Sequence, residues 1–335
     1  MERKLSVKDF LSFIIMIVVF YIIAITLWLT MDSIFYLVNF IIIGTALALG
    51  LGLWPVLSKK KRHRARKLSQ ALIGGYMFFG LGFGLIYIFF GYIQPENMQF
   101  EAFWFYLFSG IYTAAVLHYL IAKIIGPFLF NRGWCGWACW TAAILDYLPW
   151  EKSPGRIKKI GILRYIHFII NSLSIIILFF LFKYTLSSIS GAVSLTGTAL
   201  PENIDKYNNI FIIPEFWWFI IGNIFYFLMG IILAVILKDN RAFCKYLCPI
   251  TVFLKIGSKL SILKIEGSPD TCTQCKACSR SCPMDINVHE YINKGMRVTS
   301  SECIFCMNCI NACSKNTLKI TNKLDKKYQE LIKYK

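Results

Sequence analysis

The strongest constraint on this chain is a cysteine spacing written twice near its C-terminal end. Cys272, Cys275 and Cys278 are followed by Cys282, and Cys303, Cys306 and Cys309 by Cys313, with Pro283 directly after the first run. Three thiolates at intervals of three can wrap around one corner of a cubic iron–sulfur cluster, while the fourth, set one residue further on, points to the other cluster. The spacing therefore predicts two [4Fe–4S] clusters. Cys272, Cys275, Cys278 and Cys313 are assigned to the first, and Cys303, Cys306, Cys309 and Cys282 to the second. Zinc sites usually place two ligand pairs on separate knuckles, and neither zinc nor disulfides require a doubled three-plus-one pattern.

These residues resemble a bacterial two-cluster ferredoxin, which implies a small α+β domain over residues 266–320. Ser314 stands where the second run of such a ferredoxin usually carries Pro. That weakens the turn after Cys313 and leaves the ligands intact.

The rest of the chain is of another kind. Hydrophobic residues make up 57% and charged residues only 16%, with 28 Phe. A soluble domain could not hide that much apolar surface, so most of the chain is expected to face lipid. All 12 cysteines fall in the two runs and in two further pairs, Cys135/Cys139 and Cys244/Cys248. No thiol is left for ordinary packing, which points to ligands or redox groups in a reducing compartment. The formal charge of +18 could suggest nucleic acid. The basic residues, however, gather at the ends of apolar segments, which is the pattern of membrane topology, so no nucleic-acid partner is expected.

Six apolar spans are expected, at about 10–30, 33–57, 69–93, 102–130, 161–184 and 216–237. The first has neither the short core nor the cleavage site of a signal peptide and reads as uncleaved. The segments 1–9, 58–68, 131–164 and 238–265 hold 3, 7, 6 and 6 Lys plus Arg, whereas the connections near 31, at 94–101 and at 185–215 hold 0, 0 and 1. Under the positive-inside rule both termini and the cysteine-run domain are cytoplasmic, in the inner membrane of a prokaryote. The run Lys59 to Lys67 reads as an anchor at the anionic leaflet, the glycines of 74–84 as a packing face, and 250–260 as a short surface helix. The chain thus divides into a polytopic α-helical membrane domain (1–238), a connector (239–265), the ferredoxin-like domain (266–320) and a basic tail (321–335).

The two cysteine pairs are related to each other. Asn131-Arg132-Gly133-Trp134-Cys135-Gly136-Trp137-Ala138-Cys139 aligns with Asn240-Arg241-Ala242-Phe243-Cys244-Lys245-Tyr246-Leu247-Cys248, each at the cytoplasmic end of a span. This reads as an internal repeat of a two-span unit, of the sort that packs about a pseudo-twofold axis with a site between the copies. Cysteines four apart share one helix face, so two such faces would offer four thiols at one place. Three readings stand: a further metal or iron–sulfur centre, a pair of redox dithiols, or buried small residues. Arg132 and Arg241 favour thiolates and speak against the inert one.

Paired Cys-x-x-x-Cys motifs at membrane helix ends, followed by a double [4Fe–4S] ferredoxin, resemble the membrane iron–sulfur proteins of the NapH/NosR-like type. The resemblance covers residues 69–320 and implies electron transfer between the quinone pool or cytoplasmic donors and redox partners across the membrane. Trp140 replaces the Pro that this family places after its first motif, which puts that turn in question; the second motif keeps Pro249. No flavin-binding domain precedes the spans, so a flavin-carrying role is not expected of this chain.

His118 and His167 lie inside predicted spans, at different depths. Each could contact haem or quinone, but haem bridged between them is disfavoured and a helix–helix hydrogen bond is the plainer role. Trp104, Trp134, Trp137, Trp140, Trp150, Trp217 and Trp218 gather at span ends as interface anchors. The domain from 268 to 335 carries 11 Lys or Arg against 6 Asp or Glu, which would steer an acidic soluble carrier such as a ferredoxin or flavodoxin toward it. A relay is the reading adopted. A quinone or metal-ion reductase with its own site at the paired motifs, and a redox-responsive regulator or assembly factor, are the alternatives.

Overall fold

A computed structural model describes residues 7–90, 97–108, 114–182, 214–325 and 327–335. The polar connections expected around residues 94 and 185–213 fall largely outside them. The chain begins with α1 (Leu11–Met31) and α2 (Ile34–Leu47, carried on by a wider turn to Gly52). The two are antiparallel neighbours, with the Tyr21 hydroxyl 3.1 Å from Thr45 Oγ1. Both are apolar on every side and largely exposed, as helices facing lipid must be.

Next come α3 (Lys59–Gly75, prolonged by wider turns to Gly82) and α4 (Leu85–Phe90). The basic run is therefore the first part of a helix. Gly84, at φ 79°, takes the left-handed conformation that breaks the stretch expected as the third span. The expected fourth span is not one helix either. Its residues form α5 (Phe100–Phe108) and, after a gap in the described residues, α6 (Ala114–Tyr119), a wider turn Leu120–Ile125 and α7 (Gly126–Phe130). These two pieces are antiparallel, since Phe103 stacks on Tyr119 at 4.8 Å while Lys123 Nζ meets the Met98 carbonyl at 3.5 Å. Hydropathy sees one mainly apolar stretch of 29 residues, 102–130; the packing folds it back on itself.

α8 (Gly133–Trp137) and α9 (Trp140–Leu145) carry the first cysteine pair. α10 (Leu163–Ile176) lies within an apolar helical stretch Lys159–Leu181, and α11 (Pro214–Leu237) leads to α12 (Ala242–Tyr246), which carries Cys244 with Cys248 just past its end, and α13 (Thr251–Lys259). Among the described residues four helices are long and apolar enough to cross a membrane: Leu11–Met31, Ile34–Gly52, Lys159–Leu181 and Phe216–Leu237. Val116–Phe130 is a shorter apolar helix.

The C-terminal part is a small α+β unit. Strands β1 (Leu263–Gly267) and β2 (Leu318–Asn322) pair antiparallel and bracket three short helices, α14 (Ala277–Arg280), α15 (Val288–Asn293) and α16 (Asn308–Ala312). The final residues are strapped down: Ile286 bridges Ile332, and Arg156 bridges Tyr334. This unit and the helix ends beneath it share one hydrophobic core, which runs from Ile265, Met284 and Val298 to Ala142 and Leu254.

Candidate iron–sulfur centres

The two cysteine runs fold as copies of one loop. Gln274 and Lys276 in the first, and Phe305 and Met307 in the second, all sit at φ between 52° and 58°. Such residues normally avoid the left-handed region, and repeated departures at one spot mark a backbone held for a purpose. In each run one such residue falls between the first and second cysteines and one between the second and third, just before α14 and α16 begin.

The loops differ in setting. Cys282, Cys303, Cys306 and Cys309 line one enclosed apolar pocket with Ile265, Met284, Ile286, Val288, Val298, Ile304 and Met307. Burial pushes the Cys303 thiol up to about 12 and Cys309 well above the ordinary value, neighbouring cysteines adding to it. In the first loop Cys272 and Cys275 act electrostatically on Cys278; Cys275 is exposed, Cys272 partly so and Cys278 buried. Cys313 packs against the same core, with its sulfur 3.3 Å from Thr317 Oγ1.

The two pairs at the membrane end are arranged with local twofold regularity. Ala138 and Cys139 both donate their backbone N–H to the Trp134 carbonyl at 3.0 Å; Leu247 and Cys248 do the same to Phe243 at 2.9 and 3.0 Å. Arg241 Nη1 donates to the Cys135 carbonyl at 2.8 Å, and Arg132 Nη2 to the Cys244 carbonyl at 3.4 Å, so each repeat's arginine braces the other repeat's first cysteine. Trp140 opens α9 where Pro249 stands in the second copy, and its ring N–H donates to Asn223 Oδ1 at 2.7 Å; the turn keeps its form without Pro. The sulfurs of Cys139 and Cys248 feel those of Cys135 and Cys244, and burial pushes Cys139 up to about 12 and Cys248 well above the thiol range.

Two buried carboxylates hold the surrounding cations. Asp146 binds Arg241 at 2.5 Å and Arg66 at 2.8 Å. Burial opposes its ionisation, but the two guanidinium groups bring its carboxyl down to about 2. Glu302, next to Cys303, receives Arg132 (2.5 Å), Arg164 (2.7 Å), Lys255 (2.9 Å) and Arg156 (3.2 Å). Those four cations overcome burial and hold it well below the usual carboxylate range. Arg66 also donates to the Gly136 carbonyl and Gln70 to that of Cys135, so α3, read from the sequence as a leaflet anchor and packing face, is a wall of the site.

The buried loop of the small unit sits on the first pair. Arg132 N–H donates to the Cys303 carbonyl (3.0 Å) and Trp137 Nε1 to the Phe305 carbonyl (3.0 Å). A Cβ on Gly136 would lie 2.3 Å from the Ile304 carbonyl oxygen, so only glycine permits this approach. Beside the pair, Trp134, Trp137 and Ala138 line a largely apolar cavity of about 740 Å³ together with Leu47, Met77 and His118. His118 packs edge-on against Trp134 at 4.6 Å, and its Nε2 is buried with no hydrogen-bond partner among the described residues. His167 instead meets the Leu247 carbonyl at 2.8 Å, the helix-to-helix bond expected of it.

Do these sets fit iron–sulfur clusters? Among the described residues no three Cys, His, Asp or Glu side chains converge on a single ion. Grouped soft sulfur donors in a dry pocket, spaced too widely for one ion, suit a multi-iron cluster, and thiols that resist ionisation become thiolates only against a cation. The sequence reading missed Asp146, Glu302, Arg66, Gln70 and Lys123. For Lys123 a signal existed, since it is a charge inside an apolar stretch.

A helical base with membrane-length apolar helices that carries a doubled cysteine-loop unit defines a membrane ferredoxin-type protein. A family described as a 4Fe-4S dicluster domain matches residues 264–314, and one described as a 4Fe-4S binding domain matches twice, at 114–159 and 221–265. The chain is 23% identical to the uncharacterized protein MJ0750 of Methanocaldococcus jannaschii, over 78% of this chain and 97% of that one. It is 25% identical to the regulatory protein NosR of Pseudomonas aeruginosa over 73% of this chain and 33% of NosR, and 26% identical to the ferredoxin-type protein NapH of Haemophilus influenzae over 58% and 64%. MJ0750 apart, the chain spans less than two thirds of the length of these relatives. No solved structure matches. Together the matches support a NapH/NosR-like membrane ferredoxin-type protein with an iron–sulfur electron-transfer role.

Proposed function

We propose that this chain relays electrons between a cytoplasmic carrier or the quinone pool and a membrane or extracytoplasmic redox partner. One observation carries the reading: ten of the twelve cysteines, drawn from all three sets, belong to or pack on one hydrophobic core, and Trp134 and Trp137, on either side of Cys135 in the chain, line the cavity that holds His118. Cys272, Cys275, Cys278 and Cys313 would hold the outer [4Fe–4S] cluster, and Cys282, Cys303, Cys306 and Cys309 the inner one. Cys135, Cys139, Cys244 and Cys248 would hold a third centre. Clusters of this type supply one-electron transfer at potentials set by charge, hydrogen bonds and exposure.

The chain's own residues do the rest. Met284, Ile286, Val288 and Val298 exclude water from the inner set. Arg132 and Glu302 lock the small unit onto the base so that its distance to the paired cysteines is fixed. The cavity has the size and apolar lining of a small-molecule site, with His118 Nε2 as a polar contact for a quinone carbonyl. Lys276 and Arg280 beside the outer loop would receive an acidic carrier.

The repeated motif, matched twice by one family, supports the two-span duplication. In this reading α3 with α4 and α6 with α7 are the third and fourth of six crossings, α5 is a half-helix that enters and leaves the same face, and both termini are cytoplasmic in a prokaryotic inner membrane. Residues 1–238, 239–265, 266–320 and 321–335 are then base, connector, ferredoxin domain and strap.

Anaerobic iron and sulfide analysis with paramagnetic resonance, comparing the parent protein with a Cys135→Ser, Cys244→Ser double variant, tests the assignment. The parent should exceed the roughly eight irons of two cubanes, and the variant should fall back to them. An unchanged spectrum would remove the third centre.

A further inference from the structure

Lys123 is completely buried, inside the wider turn Leu120–Ile125 between α6 and α7. Wide helical turns of this kind occur disproportionately at functional sites. Every other buried Lys or Arg in the described residues has a carboxylate. Arg66 and Arg241 have Asp146, and Arg132, Arg156 and Arg164 have Glu302. Lys245 has Asp239 and Asp285, and Lys264 and Arg297 have Asp325. Lys123 has no ion-pair partner among the described residues. Its hydrogen bond to the Met98 carbonyl is 3.5 Å long. An ammonium left this way in a dry interior is strongly unfavourable unless an anion lies beside it.

Its surroundings say where that anion belongs. The ammonium lies 3.6 Å from the centroid of the Tyr119 ring, 5.3 Å from Trp134 and 5.5 Å from Trp140. Trp134 and Trp140 are the residues that bracket Cys135 and Cys139 in the chain. The groups whose charges act on it are Cys139 first, then Cys248, Cys135 and Glu101. Aromatic faces help to hold the cation but carry no net charge to balance it. Asp146 is committed to two guanidinium groups and Glu302 to four cations, and Glu101, the last of the charges that act on Lys123, takes its hydrogen bonds from Asn171 and Tyr226 and forms no ion pair with it; the charges that act most on the ammonium are those of the paired cysteines.

We propose that Lys123 is the built-in counter-charge of the paired-cysteine centre and sets its reduction potential. This rests on the reading of Cys135, Cys139, Cys244 and Cys248 as ligands of a third, anionic centre. Reduction adds one negative charge to that centre, and a fixed cation beside it stabilises the reduced form more than the oxidised one. Lys123 therefore raises the potential and makes this centre a better acceptor than the two clusters in the small unit.

The test is a paramagnetic-resonance redox titration of the full-length protein in lipid nanodiscs, comparing the parent with Lys123→Met and Lys123→Arg. Lys123→Met should shift the reduced-to-oxidised ratio of the third signal at least tenfold toward oxidised at a given applied potential, which is 59 mV for one electron. Lys123→Arg should stay near the parent, and the two clusters of the small unit should not move. A third signal with unchanged potential in Lys123→Met overturns the proposal. If Lys123→Met loses the third signal, its recovery in Lys123→Arg supports a charge requirement, and its loss in both variants overturns it in favour of shape. A parent without a third signal instead refutes the underlying assignment of the four cysteines.

Discussion

Glu302→Gln removes one negative charge from a position where four cations meet within 3.2 Å. The amide keeps the shape and one acceptor, but it leaves Arg132, Arg156, Arg164 and Lys255 without a counter-ion in a dry site. Removing one partner of a buried ion pair costs about 3–5 kcal/mol. The cost falls on the contact between the small unit and the base, because Glu302 belongs to the former and all four cations lie outside the cysteine loops. The Arg132 amide, bonded to the Cys303 carbonyl across that contact, reports its opening. Hydrogen exchange at Arg132 should therefore accelerate by about a hundredfold to a few thousandfold, since each 1.4 kcal/mol is a factor of ten. Amides inside the small unit, such as Met296 bonded to Tyr291, should keep their protection. A change below tenfold at Arg132, or equal loss at both places, would refute the view that Glu302 is a docking lock.

Further outcomes follow from the same geometry. Gly136→Ala places a methyl where the Ile304 carbonyl already stands, so it should lower the melting temperature and slow oxidation of the inner cluster by quinone, without changing iron content. Cys282→Ser should abolish the inner cluster's resonance and leave that of the outer one, whose proposed ligands Cys272, Cys275, Cys278 and Cys313 lie outside the pocket that Cys282 lines. Asp146 has its folded pKa lowered to about 2, so its contribution is present above the ordinary carboxylate value and is lost as pH falls from there toward 2. That contribution is about 2 kcal/mol, and the stability gap between the parent and Asp146→Asn should narrow on acidification over that window. Electron transfer from an acidic soluble carrier should weaken as salt rises, as measured by stopped-flow absorbance.

What could be read from the sequence was whatever is local. Eight cysteines at fixed intervals specify two loops of one shape, although the left-handed positions at Gln274, Lys276, Phe305 and Met307 carry no glycine to announce them. The shared Asn-Arg-x-aromatic-Cys pattern made the relation between the two pairs legible, and the cross-bracing by Arg132 and Arg241 gives it a physical purpose. Asp146 and Glu302 were not legible, because their partners come from 47 to 170 positions away in sequence and only the packed chain brings them together. The interrupted segments escaped for a different reason. Hydropathy averages composition over a window and registers neither the bend at Gly84 nor the antiparallel return that brings Phe103 onto Tyr119. The positive charge was read as topology alone, yet Arg66 and Arg164 turn inward to bind carboxylates in the core.

The most direct test of the whole account is electron delivery across the core in proteoliposomes. A reduced low-potential carrier is supplied at the face bearing the small unit, and cluster absorbance is followed with and without quinone in the bilayer. The account predicts rapid bleaching, recovery only when quinone is present, and loss of that recovery in His118→Leu with bleaching intact. Recovery that is equally fast without quinone, or cysteine runs that bind no iron, would contradict it.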